Sequence, residues 1–437
     1  MIGAALLGLA LLLGGGSLLF PLTRLILEFV AAGVLAWYAA RGWRAPVDRW
    51  SGAVLLLLLA AVMLPLIQLV PLPPTVWATL PGREDAAAIM AAAGMAPRWM
   101  PISLQPDATR LAAAYLIVPI AVFVVTLHAT AAQRVLHGWV IVAAALASAL
   151  LGLLQAGGSE AFYLYDVGRF TAATGFFANK NHFADLLLIG MLLAAGLTAT
   201  APRLGLWSPS KLVAAGAIAI LAVALPAANS RMGLLLLPVA LVPAIWLLLP
   251  PGHPRRARDV ALAAAGVAGL AALAMGSGVV TRLLNRFGGA PDVRFTTWPD
   301  VITAIGHYQP VGSGLGSFIR IFQRHESITT LKPTYVFHAH NDFMEIALEA
   351  GWVGVALLAV GVTLWLVGAW RVLRHRSARG AFTPMHVAAV FGIGLLVTHS
   401  LVDYPLRTLT LSSVLAFLAG CLAPAAQPRR GLAKQGD

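Results

Sequence analysis

The sequence predicts an all-α, polytopic membrane protein, and three observations carry that prediction. Of the 437 residues 59% are hydrophobic and only 11% are charged. Apolar runs recur along the whole chain, each close to the ~20 residues that cross ~30 Å of hydrocarbon as a helix. The excess of Lys and Arg falls on alternate connections between those runs. Length alone would suggest about three soluble domains of ~150 residues, but soluble domains alternate polar and apolar faces and these runs do not. In lipid every backbone N–H and C=O needs a partner within its own segment, which leaves helices. The chain therefore reads as a single membrane-embedded domain spanning 1–437.

Twelve runs are expected to span, at 2–20, 25–40, 51–70, 111–128, 138–156, 182–200, 211–227, 232–250, 259–279, 343–370, 384–402 and 408–424. The first has the length of a signal-peptide core but no basic start and no small-x-small cleavage pattern, so it is taken as a helix. If the amino terminus is cytoplasmic, the inner connections run from Arg41 to Lys434 and hold sixteen of the thirty Lys and Arg, against three acids, Asp48, Asp259 and Asp437. The outer connections balance, so the net charge of +13 sits on one face and both termini lie inside. This gives the basic character a topological origin and needs no nucleic acid partner. Cys421 is the only cysteine, which excludes an intrachain disulfide. No fixed-period repeat is present.

Two outer segments are long, 71–110 and 280–342. The first, rich in Pro and Ala, is expected to form short helices and turns against the outer surface. The second ends in VFHAHNDFMEIALEAG (336–351), where His338, His340 and Asp342 directly precede an apolar helix. Polar groups also gather at other outer helix ends. Lys180, Asn181 and His182 stand at the mouth of the sixth run, Arg231 lies in the tight turn AANSRMG, and Arg294 and Trp298 occur in DVRFTTWPDVI.

Each group has a plain structural reading. Lys180 and Arg231 can snorkel to lipid phosphates. Asp342 and Glu345 fit a helix N-cap and its partner three residues on, where acids suit the positive end of the dipole. Phe295 and Trp298 can anchor a loop helix at the interface or stack on sugars. The glycines of PVGSGLGSF (310–318) do not follow a strand in a βαβ unit, so a nucleotide loop is rejected. His-x-His-x-Asp is a spacing used by binuclear hydrolases, but Phe343 stands where a further ligand would be expected and the chain then enters the membrane. No metal and no other cofactor is expected.

Cations and an imidazole at one membrane surface suit glycan transfer from a lipid diphosphate. Guanidinium groups stabilise the leaving diphosphate, and a histidine, with an ordinary pKa near ~6.5, is a fitting base for a sugar hydroxyl. At FANKNHFA (177–184), NSRMG (229–233), Arg294 to Trp298, GSGLGSF (312–318) and HAHNDFMEIALEAGWVG (338–354), the chain resembles the O-antigen ligase and O-antigen polymerase superfamily. The His340-Asn341 pair is followed at fixed spacing by Gly351 and Gly354, as in that family's pattern.

The resemblance covers about 170–355 and implies a GT-C-like enzyme of the bacterial inner membrane, with its active site facing the periplasm and 280–342 as a large periplasmic loop containing short helices. It implies His340 as base and Arg231 and Arg294 as diphosphate ligands, with Lys180, Asn181, His182, Asn341 and Trp298 as substrate-binding candidates. The implied partners are an undecaprenyl diphosphate-linked glycan donor, a lipid A core or other glycan acceptor, and the bilayer. Ligase is favoured over polymerase. A transporter or flippase would place ionisable groups near the membrane midplane, whereas Glu28 and Asp185 lie nearer the outer ends of their runs.

Overall fold

The computed structural model describes residues 1–16, 21–42, 45–158, 160–165, 172–200, 208–249, 258, 293–328, 331, 335–374 and 383–427. The expected span 259–279 and the first part of the 280–342 segment lie outside the described residues. The described chain is helical apart from one pair of two-residue strands, β1 (Pro71–Leu72) and β2 (Met100–Pro101), paired antiparallel.

In chain order the helices are α1 (Ile2–Leu13), α2 (Pro21–Ala40), α3 (Arg49–Gln68), α4 (Pro74–Trp77), α5 (Glu84–Ala92), α6 (Pro106–Tyr115), α7 (Ile117–His128), α8 (Ala131–Ala156), α9 (Lys180–Thr200), α10 (Pro209–Ala224), α11 (Arg231–Leu248), α12 (Val293–Tyr308), α13 (Phe318–His325), α14 (Asp342–Arg374), α15 (Pro384–His399) and α16 (Leu409–Cys421). Among the described residues eight segments are long and apolar enough to cross a membrane: α2, α3, α6 with α7, α8, α9, α10 with its 3₁₀ extension to Ala228, α11 and α14. The expected helices at 2–20, 384–402 and 408–424 are shorter, as α1, α15 and α16. The fold is thus a polytopic helical bundle, with eight candidate spans described where twelve were expected.

The centre of the bundle is α9, buried along nearly its whole length, whereas α2 and α14 turn most of their surface outward. Hydrocarbon supplies no hydrophobic drive for helix association, so close packing depends on small residues. A Cβ on Gly190 would lie 2.7 Å from Ala145 of α8, one on Gly196 2.7 Å from Ala388 of α15, and one on Gly233 2.7 Å from Ala184. These contacts bring α8, α15 and α11 against α9.

Among the described residues, successive connections alternate between two ends of the bundle. At one end Ala178 N–H donates to Gly15 C=O, Thr410 N–H to Gly14 C=O, Ala173 N–H to Ala227 C=O and Asp342 N–H to Ser400 C=O. At the other, Ala426 N–H donates to Ala129 C=O and the Arg134 guanidinium donates to the carbonyls of Ala423 and Pro424. The first end carries the 71–110 connection and the described part of the 280–342 segment.

There β1, β2, α4 and α5 hold to the 310–316 turn. Leu104 N–H donates to Ser313 C=O, and buried Arg83 donates to the carbonyls of Pro81, Ile102 and Gly312. The 71–110 segment has the short helices expected of it, together with the strand pair.

Helix α14 breaks at Gly351, whose φ of 60° and ψ of −157° belong to no helix. The glycine-rich turn closes the first piece: Ser313 N–H donates to Leu348 C=O, Gly314 N–H to Glu349 C=O, and Trp352 N–H to Pro310 C=O. A Cβ on Gly351 would lie 2.1 Å from Pro310 O. Gly351 therefore marks a chain break that admits the 310–312 turn, and the glycines of 312–316 terminate a helix.

Candidate functional site

Helix α14 begins with Asn341 as its cap, because Asn341 Oδ1 accepts from Met344 N–H at 3.0 Å. The cap expected at Asp342 is therefore one residue earlier, and Asp342 and Glu345 are directed elsewhere. Ser400 Oγ donates to Asp342 at 2.8 Å, and Glu345 accepts from Ala339 N–H at 2.9 Å. The chain before the cap turns sharply, with His340 at a φ of 51°. That left-handed conformation is uncommon for a residue with a side chain and signals local strain held by its surroundings. Tethers on each side hold it: Trp298 Nε1 donates to Ala339 C=O at 2.9 Å, and Asn341 Nδ2 donates to Leu401 C=O at 2.8 Å.

The strained turn aims His340 at Asp403, in the connection between α15 and α16. His340 Nδ1 lies 3.2 Å from Asp403 Oδ1; the His340 side chain is 31% exposed and the Asp403 side chain not at all. Asn181 Nδ2 donates to Asp403 Oδ2, and Arg294 Nη2 lies 3.5 Å from the same oxygen while its Nη1 donates to Val402 C=O at 2.6 Å. Tyr404 N–H donates to Asp403 Oδ1 at 2.9 Å. Burial would push this carboxyl's pKa up, but the His340 hydrogen bond, the His340 and His182 imidazoles close by and the Arg294 guanidinium outweigh it and hold it well below the usual range. Asp403 is thus an anion at neutral pH.

Around it stand the rings of Tyr404, with His338 at 4.1 Å, His340 at 5.0 Å and His182 at 5.0 Å between centroids. Burial and the neighbouring Asp403 charge raise the Tyr404 pKa, so its hydroxyl stays protonated and accepts from Asn179 Nδ2 at 3.2 Å. A second group lies next to the first. Arg407 meets Asp342 at 3.6 Å, Glu345 at 3.4 Å and Glu349 at 3.1 Å, and Glu345 also holds His338 Nδ1 at 2.9 Å. Burial works against the Arg407 charge, yet the three carboxylates raise its pKa above the ordinary arginine value.

The structure therefore brings His340, Arg294, Asn181, Asn341 and His182 to one centre, with Trp298 bracing the turn beside it. Lys180 is the first residue of α9, one position before Asn181. Arg231 opens α11 after Ser230, whose Oγ caps the helix by accepting from Gly233 N–H. The Gly233–Ala184 approach sets this first turn beside the first turns of α9. His338, His340 and Asp342 turn to Glu345, Asp403 and Ser400, so the His-x-His-x-Asp run does not converge as a ligand set. Among the described residues no three His, Cys, Asp or Glu side chains are grouped to hold a metal.

Sequence reasoning missed Asp403, Tyr404, Arg407 and His399. Their signal was the polar run THSLVDYPLRT (398–408) between two apolar segments. It is too short to stand out as a loop, and its central Asp lies at the end of an apolar run.

The family model described as O-antigen ligase matches residues 216–359, which supports the expected resemblance to that superfamily. That segment holds Arg231, Arg294, Trp298, His340 and Asn341 and ends before Asp403. Comparison with curated proteins finds no match.

Proposed function

We propose, from the O-antigen ligase match over 216–359 and the His340–Asp403 pair, that this protein is a membrane glycosyltransferase. It moves a glycan from undecaprenyl diphosphate to an acceptor hydroxyl, a lipid A core sugar, at the periplasmic face of the inner membrane. The observation that carries the reading is a part-exposed imidazole with a buried carboxylate behind it. An ionised carboxylate only accepts, so His340 carries its hydrogen on Nδ1 and presents the Nε2 lone pair. That is the form a general base needs.

In the reaction, Nε2 takes the proton from the acceptor hydroxyl as its oxygen bonds to the anomeric carbon. The bond from that carbon to the diphosphate oxygen breaks, and its electron pair leaves with the lipid diphosphate. Asp403 stabilises the imidazolium that forms. Arg231 and Arg294 hold the diphosphate oxygens as charge collects on them. Asn181, with Lys180 and His182 at the same mouth, lines the donor side, and Trp298 and Asn341 keep the His340 turn in place. The donor itself supplies the driving force, so the reading needs no nucleotide.

The test is reconstitution of the purified protein with a polymeric glycan on undecaprenyl diphosphate and lipid A core, beside a reaction holding only single-repeat lipid donors, with His340→Ala in each. Glycan on lipid A core, lost in the variant, is the expected result. Lengthening of lipid-linked repeats with nothing on the core would reassign the acceptor and make the protein a polymerase. Transfer unchanged in a correctly inserted His340→Ala protein would remove His340 as the base.

A further inference from the structure

Behind Asp403 lies a pair that the reaction above does not use. Asp185, in the second turn of α9, and His399, the last residue of α15, both have fully buried side chains. Asp185 Oδ1 is 2.6 Å from His399 Nδ1, and His399 Nε2 faces Asp403 Oδ2 at 4.0 Å. With Asp403 Oδ1 at 3.2 Å from His340 Nδ1, four side chains alternate in a row: exposed imidazole, carboxylate, buried imidazole, carboxylate. Each nitrogen of His399 is directed at a carboxylate. A neutral ring with its hydrogen on Nδ1 would turn a bare lone pair toward Asp403, whereas an imidazolium donates to Asp185 and turns a positive N–H toward Asp403, too far for a hydrogen bond but close enough for charge attraction.

We propose that Asp185 and His399 form a positioning pair, holding a positive charge behind Asp403 so that Asp403 is compensated while His340 is neutral and able to take the hydroxyl proton. The proposal rests on His340 acting as the base. Other charged or titratable groups face this row from each packed element. Arg294 comes from α12, His182 from α9, Tyr404 from the 400–408 connection and His338 from the turn before α14, while Asp342, Glu345 and Glu349 are grouped on Arg407. Arg294 shares Asp403 Oδ2 with His399, so the carboxylate has a permanent cation at one side and the proposed one behind it.

The sign follows from charge. A cation roughly 8 Å from His340 through buried protein opposes its protonation, by about 1.5 pH units at an effective dielectric near 20. Removing that cation moves the protonation midpoint of His340 to higher pH.

The experiment measures carbethoxylation of His340 by diethyl pyrocarbonate, which attacks the neutral ring, across pH in the full-length protein in nanodiscs. Fragment mass spectrometry separates His340 from His338. His399→Gln is expected to raise the His340 midpoint by about 1.5 pH units. The double variant Asp185→Asn with His399→Gln leaves no buried carboxylate without its partner and carries the test if the single variant does not fold; its shift has the same sign and is smaller, because the Asp185 anion leaves with the cation. Midpoints that stay within roughly 0.2 pH unit of wild type in the folded variants overturn the proposal and leave a purely structural pair.

This readout needs no turnover, so it stands apart from the base assignment, which fails instead if His340→Ala transfers glycan normally. Where transfer is measured, the acid limb of kcat/KM moves upward with the midpoint. A moved midpoint with an unmoved acid limb overturns the role in the reaction.

Discussion

Replacing Asp403 by Asn tests whether His340 works through its carboxylate. The substitution keeps the shape and removes one buried negative charge, 3.2 Å from His340 Nδ1. As His340 gains a proton in the transition state, that charge interacts with the new cation over roughly 4 Å between charge centres, worth about 4 kcal/mol at an effective dielectric near 20. The side chain is wholly buried, so salt screening removes little of this. At 1.36 kcal/mol per tenfold, the rate should fall on the order of 10³-fold.

The amide brings a second fault, because its NH₂ can donate to Nδ1 and favour the tautomer whose Nε2 is already protonated. The assay is the turnover rate at saturating lipid-linked donor in nanodiscs, with thermal unfolding as the control for Arg294 and Asn181, which lose an anionic partner. A variant that stays folded and turns over within about tenfold of wild type would refute the dyad, and His340 would have to be oriented by its strained backbone alone.

Three further outcomes follow from the same contacts. Gly351→Ala should destabilise by more than ~3 kcal/mol, since a Cβ would lie 2.1 Å from Pro310 O at a φ that disfavours any side chain; Gly216→Ala, inside α10 with nothing within 4 Å, is the control and should hold its melting temperature. Arg407→Met should cost ~3–5 kcal/mol by stranding Asp342, Glu345 and Glu349, with Arg407→Lys recovering part of it in the same unfolding assay. The stability that Asp403 contributes should depend on pH in one direction. Its folded pKa is depressed, so the melting difference between wild type and Asp403→Asn should be constant above ~pH 5 and shrink below ~pH 4, where the unfolded carboxyl protonates. A difference that grew toward acid pH would contradict the charge assignment.

Much of this molecule was legible because lipid permits so few solutions. The eleven apolar runs that fall among the described residues all coincide with helices, since a long uncharged segment in hydrocarbon has to satisfy its backbone internally. What the pattern did not carry was length: α15 and α16 end earlier than their runs, at His399 and Cys421. Residues 400–402 were counted into the run of α15 but are needed as the start of the turn that carries Asp403. In the sequence Gly351 and Gly354 register only as two glycines at a fixed spacing after His340-Asn341. The break at Gly351 depends on the 310–312 turn arriving from forty residues away, which no local pattern encodes. Asp342 was read as a cap for the same reason, because the partners that claim it, Ser400 and Arg407, are distant in sequence.

The candidate site shows the same division. His340, Arg294 and Asn181 were found as polar exceptions at helix mouths, yet none of them explains the others without Asp403. The matched segment, 216–359, stops more than forty residues short of that carboxylate and begins after Asn181 and Asp185. It contains the proposed base and the two proposed diphosphate ligands and omits the carboxylate that joins His340 to Arg294. Asp403 is supplied by the turn between α15 and α16, and α15 is fixed against α9 by the Gly196–Ala388 approach at one end and by Asp185–His399 at the other. The orientation of His340 is therefore a property of the bundle, set by contacts between α9 and α15. Changes well outside the matched segment, at Asp185 or His399, should alter the chemistry at His340 while the segment's own sequence stays intact.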